Sequence, residues 1–305
     1  MKMNKYSSTE AGSDKPRNLK QFIFRNLAQF LVKILRLNKS SDLSTEIVQS
    51  IHPIIEVKTP YGNLKFKGGH GRLVWRTKTY ESEEPETINW LNTLSEQDTL
   101  WDVGANVGMY SIYAAVLRKC QVIAFEPEAQ NYALLLENIA LNGINNNCDA
   151  VSIAVGPAPS GFGYLNIRYI TKGGAYNQFT KSGKINDEIA MPSTEFDNEL
   201  RQVVYSLTLD EILKRKLFPE PTHLKVDVDG LEGMIFHHSE ELLGIKRLRT
   251  ILVELDKNNK IHMEVPNILR RNNFKIVSAR SNWESRKDKT LEGVFDDTNM
   301  IFSRI

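Results

Sequence analysis

The chain has 305 residues, 41% of them hydrophobic and 25% charged, with a net charge of +2. This is ordinary globular composition, enough for one large domain with an extension, and its charge gives no global argument for a nucleic-acid partner. No apolar run reaches the roughly 18 residues of a spanning helix, residues 1–20 lack the apolar centre of a signal peptide, and two cysteines in a chain this long indicate a reducing, cytoplasmic compartment.

Residues 1–16, rich in Ser, Thr, Asn, Lys and Gly, read as a disordered tail. Residues 17–37 read as a helix. Gln21, Arg25, Gln29, Lys33 and Arg36 form a narrow polar stripe, and Phe22, Ile23, Leu27, Phe30, Leu31, Ile34 and Leu35 a wide apolar face. Such a face is expected to pack on the domain or in a dimer; peripheral contact with a membrane surface is the alternative. Strand-like runs at 54–58, 64–67 and 73–77, broken by turns, suggest a small antiparallel meander. A short helix over 85–96, opened by Pro85, leads into the main domain.

From Asp98 onward strands and helices alternate, which predicts an α/β fold, a doubly wound and mostly parallel sheet covered on both faces. The strands fall at 99–103, 121–126, 149–155, 223–228, 249–255, 274–279 and 299–304. The helices fall at 108–118, 129–142, 208–217, 231–243 and 262–272. Residues 160–205 break the alternation with a hairpin and a long polar loop containing Gly173 and Gly174, a pattern that suits a functional lid. The organisation is thus a tail (1–16), an N-terminal helix and β extension (17–80) and an α/β domain (81–305). Cys120 and Cys148 each open a predicted strand and are expected to be free thiols.

Residues 100–126 are the most informative. A buried strand runs into a tight turn, Gly104-Ala105-Asn106-Val107-Gly108, then a helix, then a second apolar strand ending on Glu126. Gly104 lets the backbone leave the strand sharply. Gly108 removes a side chain where a ligand or helix must come close, and Asn106 stands where a helix N-cap is expected. Glu126 stands about where a ribose-binding acid belongs in such a unit. The turn reads G-x-N-x-G, not the G-x-G-x-x-G that seats a pyrophosphate. Asp102, two residues before the first glycine, is an awkward neighbour for phosphate and suits a cationic sulfonium with an amino-acid tail. That favours S-adenosylmethionine over a dinucleotide.

The segment 223–232 is a second acidic locus. A central parallel strand should be almost wholly apolar, yet here Leu224, Val226 and Val228 alternate with Lys225, Asp227 and Asp229. Buried charges are costly unless paired. Pairing of Lys225 with a carboxylate, and capping of the next helix by Asp229, are structural explanations. Asp227, nearer the strand interior, is the first candidate for an active-site acid. Glu254, near the end of the next strand, would join it. Ligands of doubly wound sheets bind beyond the carboxyl ends of the strands where strand order reverses, and Asp102 and Asp227 would flank that crevice. Thr208 and Glu211 form a capping box. No Cys/His zinc pattern, nucleophile elbow or phosphate loop occurs.

These stretches resemble class I S-adenosylmethionine-dependent methyltransferases, and among them the FkbM family. The matching runs are WDVGANVG (101–108), AFEPE (124–128), LENIALN (136–142), LTLD (207–210), LKVDVDG (224–230) and ILVE (251–254). The resemblance spans about residues 85–280. It implies a seven-stranded Rossmann-like sheet whose last strand, around Met300, is antiparallel. It implies that Asp102 and the backbone of Gly104, Ala105 and Asn106 hold the methionine end, and that Gly108 and Pro127 belong to the same cofactor site. Glu126 would accept both ribose hydroxyls, Asn138 would support the pocket, and Ala154 and Val155 would border adenine. It implies O-methylation of a sugar, glycan or natural-product hydroxyl, with Asp227 as base and Asp229 and Glu254 as alternatives. The same acids could instead hold a divalent cation. Methylation of an amine, protein or RNA, and a non-catalytic binding role, are the competing readings. No stacking aromatics in a basic cleft suggest RNA.

Overall fold

A computed structural model describes residues 19–34, 47, 51, 53–68, 79, 84–167, 173–175, 177–181, 200–281 and 297–305. The tail 1–16, the third meander run at 73–77 and most of the polar loop up to residue 199 lie outside the described residues. These form two units, divided at Pro53. The first contains helix α1 (Leu19–Ile34); residues 17–18 and 35–37 of the expected helix lie outside the described residues.

In the second unit, apolar alternation produces the central sheet. Its strands are β3 (Thr99–Val103), β4 (Gln121–Phe125), β5 (Cys148–Val151), β10 (His223–Val226), β11 (Thr250–Asp256), β12 (Phe274–Ser281) and β13 (Asp297–Arg304). Their spatial order is β12-β13-β11-β10-β3-β4-β5. β10 and β4 both run parallel to β3, on opposite sides of it, so strand order reverses there. β13 runs antiparallel between β11 and β12, as the resemblance implies. The fold is α/β, a doubly wound seven-stranded sheet.

Helices cover both faces. They are α2 (Pro85–Leu91), α3 (Met109–Tyr113, extended by a wider π-helical turn, Ala114–Arg118), α4 (Ala129–Asn142), α5 (Leu209–Arg215), α6 (Glu232–Phe236), α7 (Glu240–Gly244) and α8 (Val265–Arg271). The helix expected over 231–243 is two short ones, separated at residues 237–239. Along β3, Leu100 joins the core beneath α3 and α4, while Trp101 and Val103 join the core on the opposite face.

The predicted third strand, 149–155, is a correction. β5 ends at Val151, and Ala154 and Val155 form β6 (Ala154–Val155), which leaves the central sheet to pair with Ser206 and Leu207. β6 belongs to a second, four-stranded sheet with β7 (Gly161–Asn166), β8 (Gln178–Thr180) and β9 (Arg201–Leu207), in the order β6-β9-β7-β8. The hairpin expected in 160–205 is thus part of a larger structure.

Strands β1 (Ile54–Thr59) and β2 (Gly62–Lys67) form a separate antiparallel hairpin. Asn138 and Asn142, one helical turn apart on α4, bond to its edge. The Lys67 N–H donates to Asn138 Oδ1 at 2.8 Å and the Lys65 N–H to Asn142 Oδ1 at 2.9 Å. Both cysteines are buried free thiols.

Candidate active site

A pocket opens beyond the carboxyl ends of β3, β4 and β10, where strand order reverses. Its floor includes Gly104, Ala105 and Asn106. Gly104 has φ +83°, and a Cβ there would lie 1.7 Å from the carbonyl oxygen of Asp227. Only glycine lets the turn after β3 pass this close to the loop after β10. Gly108 has φ +87°, and a Cβ there would meet Leu135 of α4 at 2.4 Å. Its bareness therefore serves helix packing, and it does not line the pocket.

Asn106 is not the cap the sequence suggests. The residue preceding α3 is Gly108, and no side chain caps that helix. Asn106 instead adopts φ 54°, accepts from the Val107 N–H, and donates from Nδ2 to Gly174 O at 2.7 Å. Asn131 of α4 grips the same segment. It donates to Gly174 O at 3.1 Å and accepts from the Gly173 N–H at 2.8 Å. Two asparagines thus fasten Gly173 and Gly174 over the turn, and Gly174, Ala175 and Asn177 form part of the wall.

Glu126 lines one side and is 5% exposed. Its two oxygens accept separate backbone N–H groups, Asn106 at 2.7 Å and Glu128 at 2.8 Å. Burial pushes its carboxyl up to about 8, against those bonds. Pro127 lines the pocket beside it, and Phe125, Ala154, Val155, Leu165 and Phe179 give an apolar wall.

Across the pocket stand Asp227, Asp229, Glu254, Lys225 and Glu84. Lys225 explains the charged pattern of β10. Leu224 and Val226 enter the core on one face, while Lys225 is in register with Asp102. Its ammonium lies 2.8 Å from Asp227 Oδ2, 3.8 Å from Asp102 Oδ1 and 5.2 Å from the centre of the Tyr110 ring. Desolvation of the buried ammonium is outweighed by Asp227, Asp102 and Glu84, which raise its pKa and keep it charged.

Asp102, expected at the methionine end, is 1% exposed and is not among the residues lining the pocket. Oδ2 accepts from the Ser111 hydroxyl at 2.6 Å, while buried Oδ1 makes no hydrogen bond among the described residues. Burial raises its pKa, against Lys225 and Ser111. Asp102 is therefore a counter-charge for Lys225. Asn138 also lies outside the lining, but its Nδ2 donates to Val107 O at 2.8 Å and so holds the glycine turn from behind.

Asp229 has φ 59°, and α6 follows Leu231 without a side-chain cap, so capping does not account for Asp229. Glu232 orders this loop instead. It accepts from the Val228 N–H at 2.8 Å and the Gly230 N–H at 3.0 Å. Buried His262 lies 3.0 Å from Glu232 through Nε2, and its Nδ1 accepts from the Asp256 N–H at 3.1 Å. One buried pair thus ties the loop after β10 to the end of β11, the elements carrying Asp227, Asp229 and Glu254.

Glu84, just before α2, escapes the sequence reading. The Thr87 hydroxyl and Asn299 Nδ2 donate to its Oε2 at 3.0 and 3.2 Å. Burial and the Asp227 charge raise its carboxyl pKa, opposed by Lys225. Only Pro85, a helix-start signal, hints at this position. Asn131 and Tyr110 are likewise pocket residues without a sequence signal. Among the described residues, no group of three or more His, Cys, Asp or Glu side chains is arranged to hold a metal ion.

The chain matches the model of the methyltransferase FkbM domain over residues 102–276. It is 26% identical over 231 residues to hexuronic acid methyltransferase AglP of Haloferax volcanii, covering 73% of this chain and 82% of that protein. It is 27% identical over 208 residues to methyltransferase sdnD of Sordaria araneosa, covering 60% and 75%. Among solved structures, it is similar to M. jannaschii TYW2 in complex with AdoMet, at 15% identity and a TM-score of 0.42 over 84% of this chain and 89% of that one. The family match covers more than half of the chain and includes the glycine turn, Glu126 and the acidic loop after β10: the chain belongs to the FkbM methyltransferase family.

Proposed function

We propose that the protein transfers the methyl group of S-adenosylmethionine to a hydroxyl of a sugar, glycan or similar small molecule. The observation that carries this reading is the polarity of the pocket: Glu126 beside an apolar wall on one side, and Asp227, Glu254 and Glu84 on the other. The donor fits the first side. Each Glu126 oxygen already accepts one N–H, and a carboxylate oxygen has room for a second donor. Glu126 would therefore accept the two ribose hydroxyls, the wall around Ala154 and Val155 would border adenine, and the Gly104–Asn106 backbone would face the methionine end. When bound, S-adenosylmethionine supplies an electrophilic methyl group on a sulfonium.

The chain's own residues then position the acceptor and take its proton. Lys225 is held as an ammonium by its acidic partners, so it does not serve as the base. It anchors Asp227 through Oδ2. The hydroxyl proton passes to a carboxylate, with Asp227 first by position and Glu84 and Glu254 beside it. Four acids, Asp227, Asp229, Glu254 and Glu84, against one lysine make this side acidic, which favours a neutral hydroxyl over an anionic acceptor. The printed name of the Haloferax relative gives a hexuronic acid, which supports the sugar class of acceptor; that acceptor carries a carboxylate, and it is the acidic side of this pocket that argues for an uncharged hydroxyl here.

A methyl-transfer screen against neutral sugars, glycans, uronic acids and amines tests this reading. Neutral hydroxylated acceptors should be methylated, and Asp227→Asn should lower kcat by about 10²–10⁴ with donor affinity preserved. Methylation confined to amines or carboxylates would refute it.

A further inference from the structure

Helix α1 (Leu19–Ile34) belongs to the first unit. Its 16 residues span roughly 24 Å, and among the described residues no helix is long and apolar enough to cross a membrane. Ile23, Leu27, Phe30 and Leu31 are nevertheless 54%, 49%, 58% and 46% exposed. At about 100° of rotation per residue these four fall within an arc of roughly 100°. Single exposed apolar residues are ordinary, but four in one stripe mark a surface that is used.

Charge identifies what the stripe meets. The chain holds 39 Lys and Arg against 37 Asp and Glu, and seven of the basic residues but none of the acidic ones lie between positions 15 and 39. Outside that segment the chain is net acidic, so its small positive balance comes entirely from the region of this helix. Two copies joined through the stripe would bring these like charges together. An anionic surface would neutralise them.

We propose that α1 docks the protein on an anionic lipid surface. It lies in the interface, with Ile23, Leu27, Phe30 and Leu31 inserted at the acyl boundary and the surrounding Lys and Arg against the headgroups. This inference is independent of the pocket chemistry. The test is flotation of the full chain with phosphatidylcholine vesicles that do or do not contain phosphatidylglycerol. Binding should require phosphatidylglycerol and fall as salt rises. Arg25→Gln with Lys33→Gln should weaken it about 25-fold, from roughly fivefold for each basic charge near the surface. Leu27→Ser with Phe30→Ser should weaken it while leaving thermal melting of the α/β unit unchanged. Equal flotation with both vesicle types, or none, would overturn the proposal. So would a concentration-dependent dimer lost on Phe30→Ser without any vesicle binding, which would assign the stripe to a second copy.

Discussion

Glu126 shows how one residue couples the site to pH. In the free protein burial holds its carboxyl up at about 8. A ribose with two hydroxyl donors favours the ionised form, so binding lowers that pKa and releases a proton. Affinity for S-adenosylmethionine should therefore strengthen as pH rises from 6 toward 8, by up to about tenfold per unit, and level off above 8. Titration calorimetry in buffers of different ionisation enthalpy should show proton release at pH 7, and Glu126→Gln should abolish it. An affinity independent of pH in this range would contradict the assignment. Glu126 was legible in the sequence because strand, turn, helix, strand and terminal acid are contiguous. Glu84 was not, because only tertiary structure brings the segment before α2 to the end of β10, through Asn299 on β13.

Among the elements, the loop after β10 is the one most visibly held in place. Glu232 and His262, 2% and 3% exposed, fix its backbone and join it to β11. With its Nδ1 accepting, His262 is neutral, so losing Glu232 leaves the His262 Nε2–H and the Val228 and Gly230 N–H groups without their acceptor, about 3–5 kcal/mol in all at roughly 1–3 kcal/mol for each buried group. Glu232→Ala should destabilise the protein by about that amount in denaturant melts and should impair turnover even at temperatures where the variant is folded. A loss below about 1 kcal/mol would show that these bonds are dispensable. The pairing of Lys225 with carboxylates was readable from the unusual alternation of β10, since such a strand demands a counter-charge. The turn of Ala154 and Val155 out of the main sheet was not. Their partners Ser206 and Leu207 lie some fifty residues on, and an apolar run reads alike in either sheet. Asn106 misled for a local reason: it has the right chemistry for a cap, but the turn places it at φ 54° and gives its side chain to Gly174.

Taken whole, the molecule joins an α/β unit with a polarised pocket to a basic, apolar-striped helix. The seven strands and their α/β alternation were legible because the central strands, β10 with its Lys225 apart, are buried and apolar over a short window. The acceptor was not legible, because the residues facing it come from β10, β11 and the segment before α2, far apart in the chain. The family fixes the class of reaction, and the donor site is where the reading is most exposed to refutation. A titration of S-adenosylmethionine into the full chain and into Glu126→Ala decides it. We expect saturable one-to-one binding, weakened by about a hundredfold or more in the variant, from two charge-assisted bonds of roughly 1.5–3 kcal/mol each. No binding by the unaltered chain, or equal binding by the variant, would contradict it.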